Sequence, residues 1–126
     1  MKLIILFLFT LFHPMVSESC DTQNISSFIS SKLDLPTVTE KDIQTKKFKK
    51  KIVISKYSEG CGIMGCTHFI FVETKKSCFN FLGDYHGTLI PTNKLKNDFP
   101  SFELSFTSGH KMIIYFDPKT KKYTEK

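Results

Sequence analysis

The sequence has 126 residues, of which 40% are hydrophobic and 24% charged, and it carries a net charge of +6. A chain of that length makes one domain with a single modest core. All 18 of its basic residues are lysines; these attract anions as diffuse point charges, whereas reading guanine edges or phosphates in a fixed geometry recruits arginine, so sequence-specific nucleic-acid binding is disfavoured.

Residues 1–19 have the layout of a secretory signal peptide: Lys2 gives the positive start, residues 3–12 are apolar apart from Thr10, and His13 and Pro14 break the run. Ser17 and Ser19 take the −3 and −1 positions of a cleavage site, which makes Cys20 the first mature residue. The run is too short to span a bilayer, so no transmembrane helix is expected in the mature chain. A cysteine at that place also fits lipid attachment. However, Ser17-Glu18-Ser19 departs from the Leu-small-small run that precedes lipidated cysteines, and a secreted or periplasmic protein is the expectation. The leader takes Lys2 and Glu18 with it, so the remaining chain keeps its charge of +6.

Along the mature chain, residues 20–126 read as one β-rich domain without a boundary or internal repeat. Ile25, Phe28, Ile29 and Leu33 recur at helical spacing and predict a short amphipathic helix that Pro36 stops. Residues 37–47 are polar and without period, which suggests an irregular connection. Ile52-Val53-Ile54 marks a strand, and Phe69-Ile70-Phe71-Val72, apolar on both faces, marks a central one. Residues 78–82 read as its hairpin return after a turn near Lys75-Lys76, and residues 88–91 as a short edge strand. Phe102, Leu104 and Phe106 alternate with Glu103, Ser105 and Thr107, as in a strand with one wet face. Gly109 turns the chain into a strand over 111–116, and Asp117-Pro118-Lys119-Thr120 turns it again before a final strand around Tyr123. Short connections throughout predict a mainly β (α+β) fold: an antiparallel meander with the helix against one face.

The four cysteines, Cys20, Cys61, Cys66 and Cys78, survive leader removal, and an oxidising compartment favours bridges. The glycines in Cys61-Gly62-Ile63-Met64-Gly65-Cys66 let the backbone fold tightly enough to pair Cys61 with Cys66. Cys78, expected opposite Val72, lies too far along the hairpin for Cys66, which leaves Cys20 with Cys78 as the favoured second bridge. Two other connectivities stay open. Cys61, Cys66, His68, Cys78 and His86 could supply zinc ligands, yet their spacing follows no zinc pattern, and no metal or cofactor is expected. Nor does the pair fit a redox motif, since four residues separate the cysteines where two are needed.

Nucleophilic catalysis would draw on His68, His86, His110, Asp84 and Ser108, but no G-x-S-x-G elbow or comparable signature surrounds them. Lys46-Lys47-Phe48-Lys49-Lys50-Lys51 sets five lysines around one aromatic ring. The group is a candidate site for an anionic surface or an acidic protein. Charges beside Ile52-Val53-Ile54 equally guard a strand edge against aggregation.

From Phe48 onward the layout resembles small secreted bacterial proteins with a single FG-GAP-like, propeller-blade-type β-unit. The pieces that carry this resemblance are Ile52-Val53-Ile54, the 61–66 turn, residues 68–72, Cys78-Phe79-Asn80-Phe81, Tyr115-Phe116 and Lys122-Tyr123. It implies a β fold and an extracytoplasmic compartment, and no agreed activity. Such units often carry an Asp/Asn-rich calcium loop before the first strand; here that place holds Asp42-Ile43-Gln44-Thr45-Lys46-Lys47, with lysines in place of acids. The functional expectation is an exported, non-enzymatic binding protein of the cell envelope or exterior. An inhibitor or immunity protein for an envelope-acting enzyme and a small secreted hydrolase are the alternatives.

Overall fold

The computed structural model describes residues 20–125; the leader expected over residues 1–19 lies outside them. Eight antiparallel strands and one short helix make the mainly β fold expected from the sequence. The helix, α1 (Ile25–Lys32), lies where the apolar spacing placed it. Asn24 caps its start by accepting a hydrogen bond from the Ser27 N–H at 3.0 Å, one of the donors that a helix start leaves without a partner.

The meander divides into two sheets. Strands β1 (Ile43–Lys47), β2 (Ile52–Gly62), β3 (Gly65–Lys75) and β4 (Cys78–His86) form the first in sequence order, and β5 (Thr88–Lys96), β6 (Phe99–Ser105), β7 (Lys111–Asp117) and β8 (Lys122–Glu125) form the second. Two expectations shift. Residues 37–47, read as irregular, contain a short 3-10 turn (Glu40–Asp42) and then β1. Only Ile43 of β1 is buried, because an edge strand with both faces largely in water needs no alternation. The edge strand expected over 88–91 runs on to Lys96, with its pairing interrupted between Pro91 and Leu95. An outer edge and a bulge are where a sheet tolerates a residue with no N–H.

Alternation along β2 explains the layers. Val53 turns toward α1 and packs with Ile29, Phe69, Phe71 and Phe81. Ile52 and Ile54 turn the other way and meet Phe102, Ile114, Phe116 and Tyr123 of the second sheet. The first sheet is therefore covered on both faces, which is why Phe69-Ile70-Phe71 reads as an unbroken apolar run.

Gly87 makes the corner between the sheets. Its φ is +134°, and its N–H donates to the Cys66 carbonyl at 3.0 Å. A Cβ at this position would stand 2.6 Å from the Ser105 carbonyl oxygen, so any side chain strains the bend and pushes backbone apart. Gly87→Ala is expected to cost about 2–4 kcal/mol from the two effects together. Gly109→Ala is the control, since Gly109 also has positive φ but open space around its Cβ position. A urea midpoint for Gly87→Ala no lower than that of Gly109→Ala would show that the corner tolerates a side chain.

The exposed side of β4 is covered. Thr22 exchanges two backbone hydrogen bonds with Phe79, at 3.0 and 2.9 Å. The Asp21 carboxylate accepts from the Phe81 N–H at 2.8 Å, and Lys122 donates to the Phe81 carbonyl. The Cys20–Cys78 disulfide fastens this N-terminal segment to β4. Across the sheets, the Tyr85 hydroxyl donates to the Tyr123 carbonyl, and within the second sheet the Tyr123 hydroxyl donates to that of Pro100. Burial holds both phenols well above the usual tyrosine range.

Candidate functional site

The lysine cluster occupies the end of β1 and the turn into β2. Phe48 N–H donates to the Ile52 carbonyl at 3.0 Å, Lys51 N–H donates back to Phe48 at 3.1 Å, and Lys51 takes a φ of 56°. The Phe48 ring reaches inward to the core between the sheets and meets Phe102 edge-on at 5.9 Å. Lys46 lies over that ring, with Nζ 5.4 Å from its centroid, a cation–π arrangement. Lys46 stands opposite Ile54 and Lys47 opposite Val53, so the charges flank both faces of the sheet edge. Lys50 forms a 3.5 Å ion pair with Asp98 in which both partners are well exposed; water and salt leave such a pair little energy. Among the described residues, Lys46, Lys47, Lys49 and Lys51 form no salt bridge. The turn is thus a cationic projection anchored by one aromatic side chain.

Both expected disulfides are present, Cys20–Cys78 and Cys61–Cys66. They consume every thiol, so no thiolate remains for zinc, and the Cys20 sulfur is not free to carry a thioether-linked lipid. Asp42, from the stretch compared with a calcium loop, accepts from Thr39 N–H at 2.9 Å and from Thr39 Oγ1 at 2.7 Å. Those two bonds hold its carboxyl below the usual range, in service of the turn before β1. Among the described residues, no cluster of three or more His, Cys, Asp or Glu side chains converges on a metal position.

The histidines are each engaged locally. His86 Nδ1 lies 3.1 Å from Thr67 Oγ1, whose single proton is given to the Gly60 carbonyl at 2.9 Å. With that proton on the Gly60 carbonyl, the imidazole donates to the hydroxyl and does not serve it as a base. His110 stacks on Phe106 at 5.8 Å. His68 Nδ1 donates to the Cys66 carbonyl at 3.0 Å. Burial is the largest influence on His68 and, with nearby Lys56, outweighs the Cys66 and Gly87 carbonyls, so its pKa falls below the usual histidine value.

A cavity of about 610 Å³ opens between β4 and β8 over Val72, Leu82, Phe99 and Phe116. Its two charged groups nearest Phe81, Asp21 and Lys122, are already bound to that residue's backbone. At the far end of the sandwich, the disulfide-clamped β2–β3 tip exposes Ile63 to 92% and Met64 to 52%.

A smaller cleft of about 270 Å³ lies between β1, β2, β3 and β5, beside the lysine turn. It brings Lys46 together with Lys56, which the sequence did not single out, and with His68, which the sequence offered only as a zinc ligand or a catalytic histidine. Lys56 had a readable signal: it follows Ile52 and Ile54 in the period-two row that faces the second sheet, so a lysine continues an apolar stripe. Compared with protein-family models, curated proteins and solved structures, the chain matches none.

Proposed function

We propose that the protein is exported and acts outside the cytosol as a non-enzymatic binding protein that holds an anionic surface through the lysine turn. The observation that carries this reading is the anchoring of Phe48 in the inter-sheet core while, among the described residues, Lys46, Lys47, Lys49 and Lys51 form no salt bridge and Lys50 has only an exposed one to Asp98. A turn fixed in this way presents its charges with little ordering cost on binding. Support for export comes from the leader pattern in residues 1–19 and from two disulfides, which persist in oxidising compartments. The hydrolase alternative gains no support from the local bonding of His68, His86 and His110. The likeness to an FG-GAP-type unit is favoured by strand count, since each sheet is a four-stranded antiparallel meander like a propeller blade; its motifs are divided between the two sheets.

The exported protein is expected to begin at Cys20 and to bind anionic lipid vesicles, less tightly as salt is added. Replacing Lys47, Lys49, Lys50 and Lys51 together by glutamine removes about 1 kcal/mol each, so vesicle affinity should fall on the order of a thousandfold. Salt-insensitive binding, or a quadruple variant that binds like the parent, would remove the lysine turn from the function. Recovery of an acidic protein in place of any vesicle binding would replace the partner class. A cytosolic chain retaining its leader and four free thiols would end the export half of the reading.

A further inference from the structure

The cleft beside the lysine turn differs from the turn in kind. Its walls include Lys46 and Lys56 and no carboxylate, and its apolar lining is Phe48, Ile54 and Leu89. Lys46 pairs with Ile54 and Lys56 with Gln44 across the β1–β2 ladder. The two lysines are therefore diagonal neighbours on one face, about 7–8 Å apart at the backbone, a span that long side chains close. Neither forms a salt bridge among the described residues. Lys56 is half-buried and stands opposite the half-buried His68, while Lys46 is exposed at the rim, so two like charges and a partly desolvated imidazole border one recess. Like charges held together without a counter-charge repel, and a bound anion relieves that repulsion most where water screens least.

We infer that this cleft is a binding site for a small amphiphilic anion, a carboxylate or phosphate monoester whose head lies between Lys46 and Lys56 and whose short alkyl stem lies on Ile54, Leu89 and Phe48. The volume of about 270 Å³ is below the ~300–1,000 Å³ of drug-sized pockets, which limits the stem to a few carbons. The inference extends the reading of the lysine turn as anion-binding, and it depends on Lys56 and His68, which lie outside that turn.

The test is a titration of the disulfide-intact exported protein, followed by amide and histidine-ring NMR, in salt high enough to abolish vesicle binding. Hexanoate and hexyl phosphate are the probes; hexanol and hexylammonium are the controls. The expected result is saturable one-to-one shifts at Gln44, Lys46, Lys56, Leu89 and the His68 ring with one or both anions, and none with the controls. The stronger of the two anions identifies the head group. Lys46→Gln and Lys56→Gln should each weaken binding about fivefold, with the remaining amide spectrum reporting that each variant is folded. Replacing Lys49, Lys50 and Lys51 should leave it unchanged, which separates the cleft from the turn. Equal shifts with hexanol, unsaturable shifts spread over all lysines, or parental affinity in both single variants would overturn the site.

Discussion

Phe102→Ala is expected to destabilise the protein by about 3–5 kcal/mol, enough to leave a detectable unfolded population at room temperature. Phe102 is fully buried between the sheets. Its ring meets Phe48 of the lysine turn at 5.9 Å and Tyr123 of β8 at 5.2 Å. Truncation removes the transfer free energy of the ring and leaves a cavity that two stacked sheets close only in part, which together cost about 3–5 kcal/mol. Domains of this size have about 5–15 kcal/mol in total. Phe106→Ala, on a ring half-exposed and stacked on His110, should cost far less. The check is urea denaturation followed by near-ultraviolet circular dichroism. Equal midpoints for the two variants would show that the inter-sheet core is not where stability resides. Because Phe48 loses its partner, Phe102→Ala should also loosen the lysine turn and weaken the anion binding proposed for it in the folded fraction.

Breaking the Cys20–Cys78 bridge should have the other large effect. The bridge spans 58 residues, and closing a loop of that length restrains the unfolded chain by about 4 kcal/mol. Cys61–Cys66 spans 5 residues, for which the same relation gives about 2 kcal/mol. Cys20→Ala/Cys78→Ala should therefore lose about twice the stability of Cys61→Ala/Cys66→Ala, measured by thermal or urea unfolding of each double variant. The long-range bridge also fastens Thr22 against Phe79 and Asp21 against Phe81. Its loss should speed hydrogen exchange at the Phe79 and Phe81 amides and open the β4 edge to pairing with a second chain. The reverse order of stability, with slow exchange retained at both amides, would contradict the assigned roles.

The elements legible in the sequence are those whose burial leaves a local period. The α1 stripe, the two-sided apolar run in β3 and the alternation in β6 follow from how one helix or one sheet presents its faces. The turn at Asp117-Pro118-Lys119-Thr120 is legible because proline and aspartate fit the required backbone angles. Strand β1 was missed because both of its faces are mostly wet, so nothing in Gln44-Thr45-Lys46-Lys47 distinguishes it from a loop. The lysine turn was legible as a charge cluster, but its inward anchor at Phe48 was not, since a single aromatic among lysines has no period. Lys56 was half-legible, as a charge continuing the row of Ile52 and Ile54. His68 gave no such signal, because its surroundings come from β2 and β5.

By itself the sequence determined the helix, the strands with a buried face, the cysteine and lysine-only chemistry, and the hydrophobic leader pattern, because each is written in neighbouring residues. Only the tertiary structure decided that the meander bends at Gly87 into two stacked sheets, that the β4 edge is covered by residues 20–22 and Lys122, and that Lys46, Lys56 and Leu89 line one cleft. These depend on where distant backbones meet, as Gly87 meets Ser105 and Thr22 meets Phe79. Such meetings are fixed by shape and by the absence of a side chain, for which no local periodicity exists.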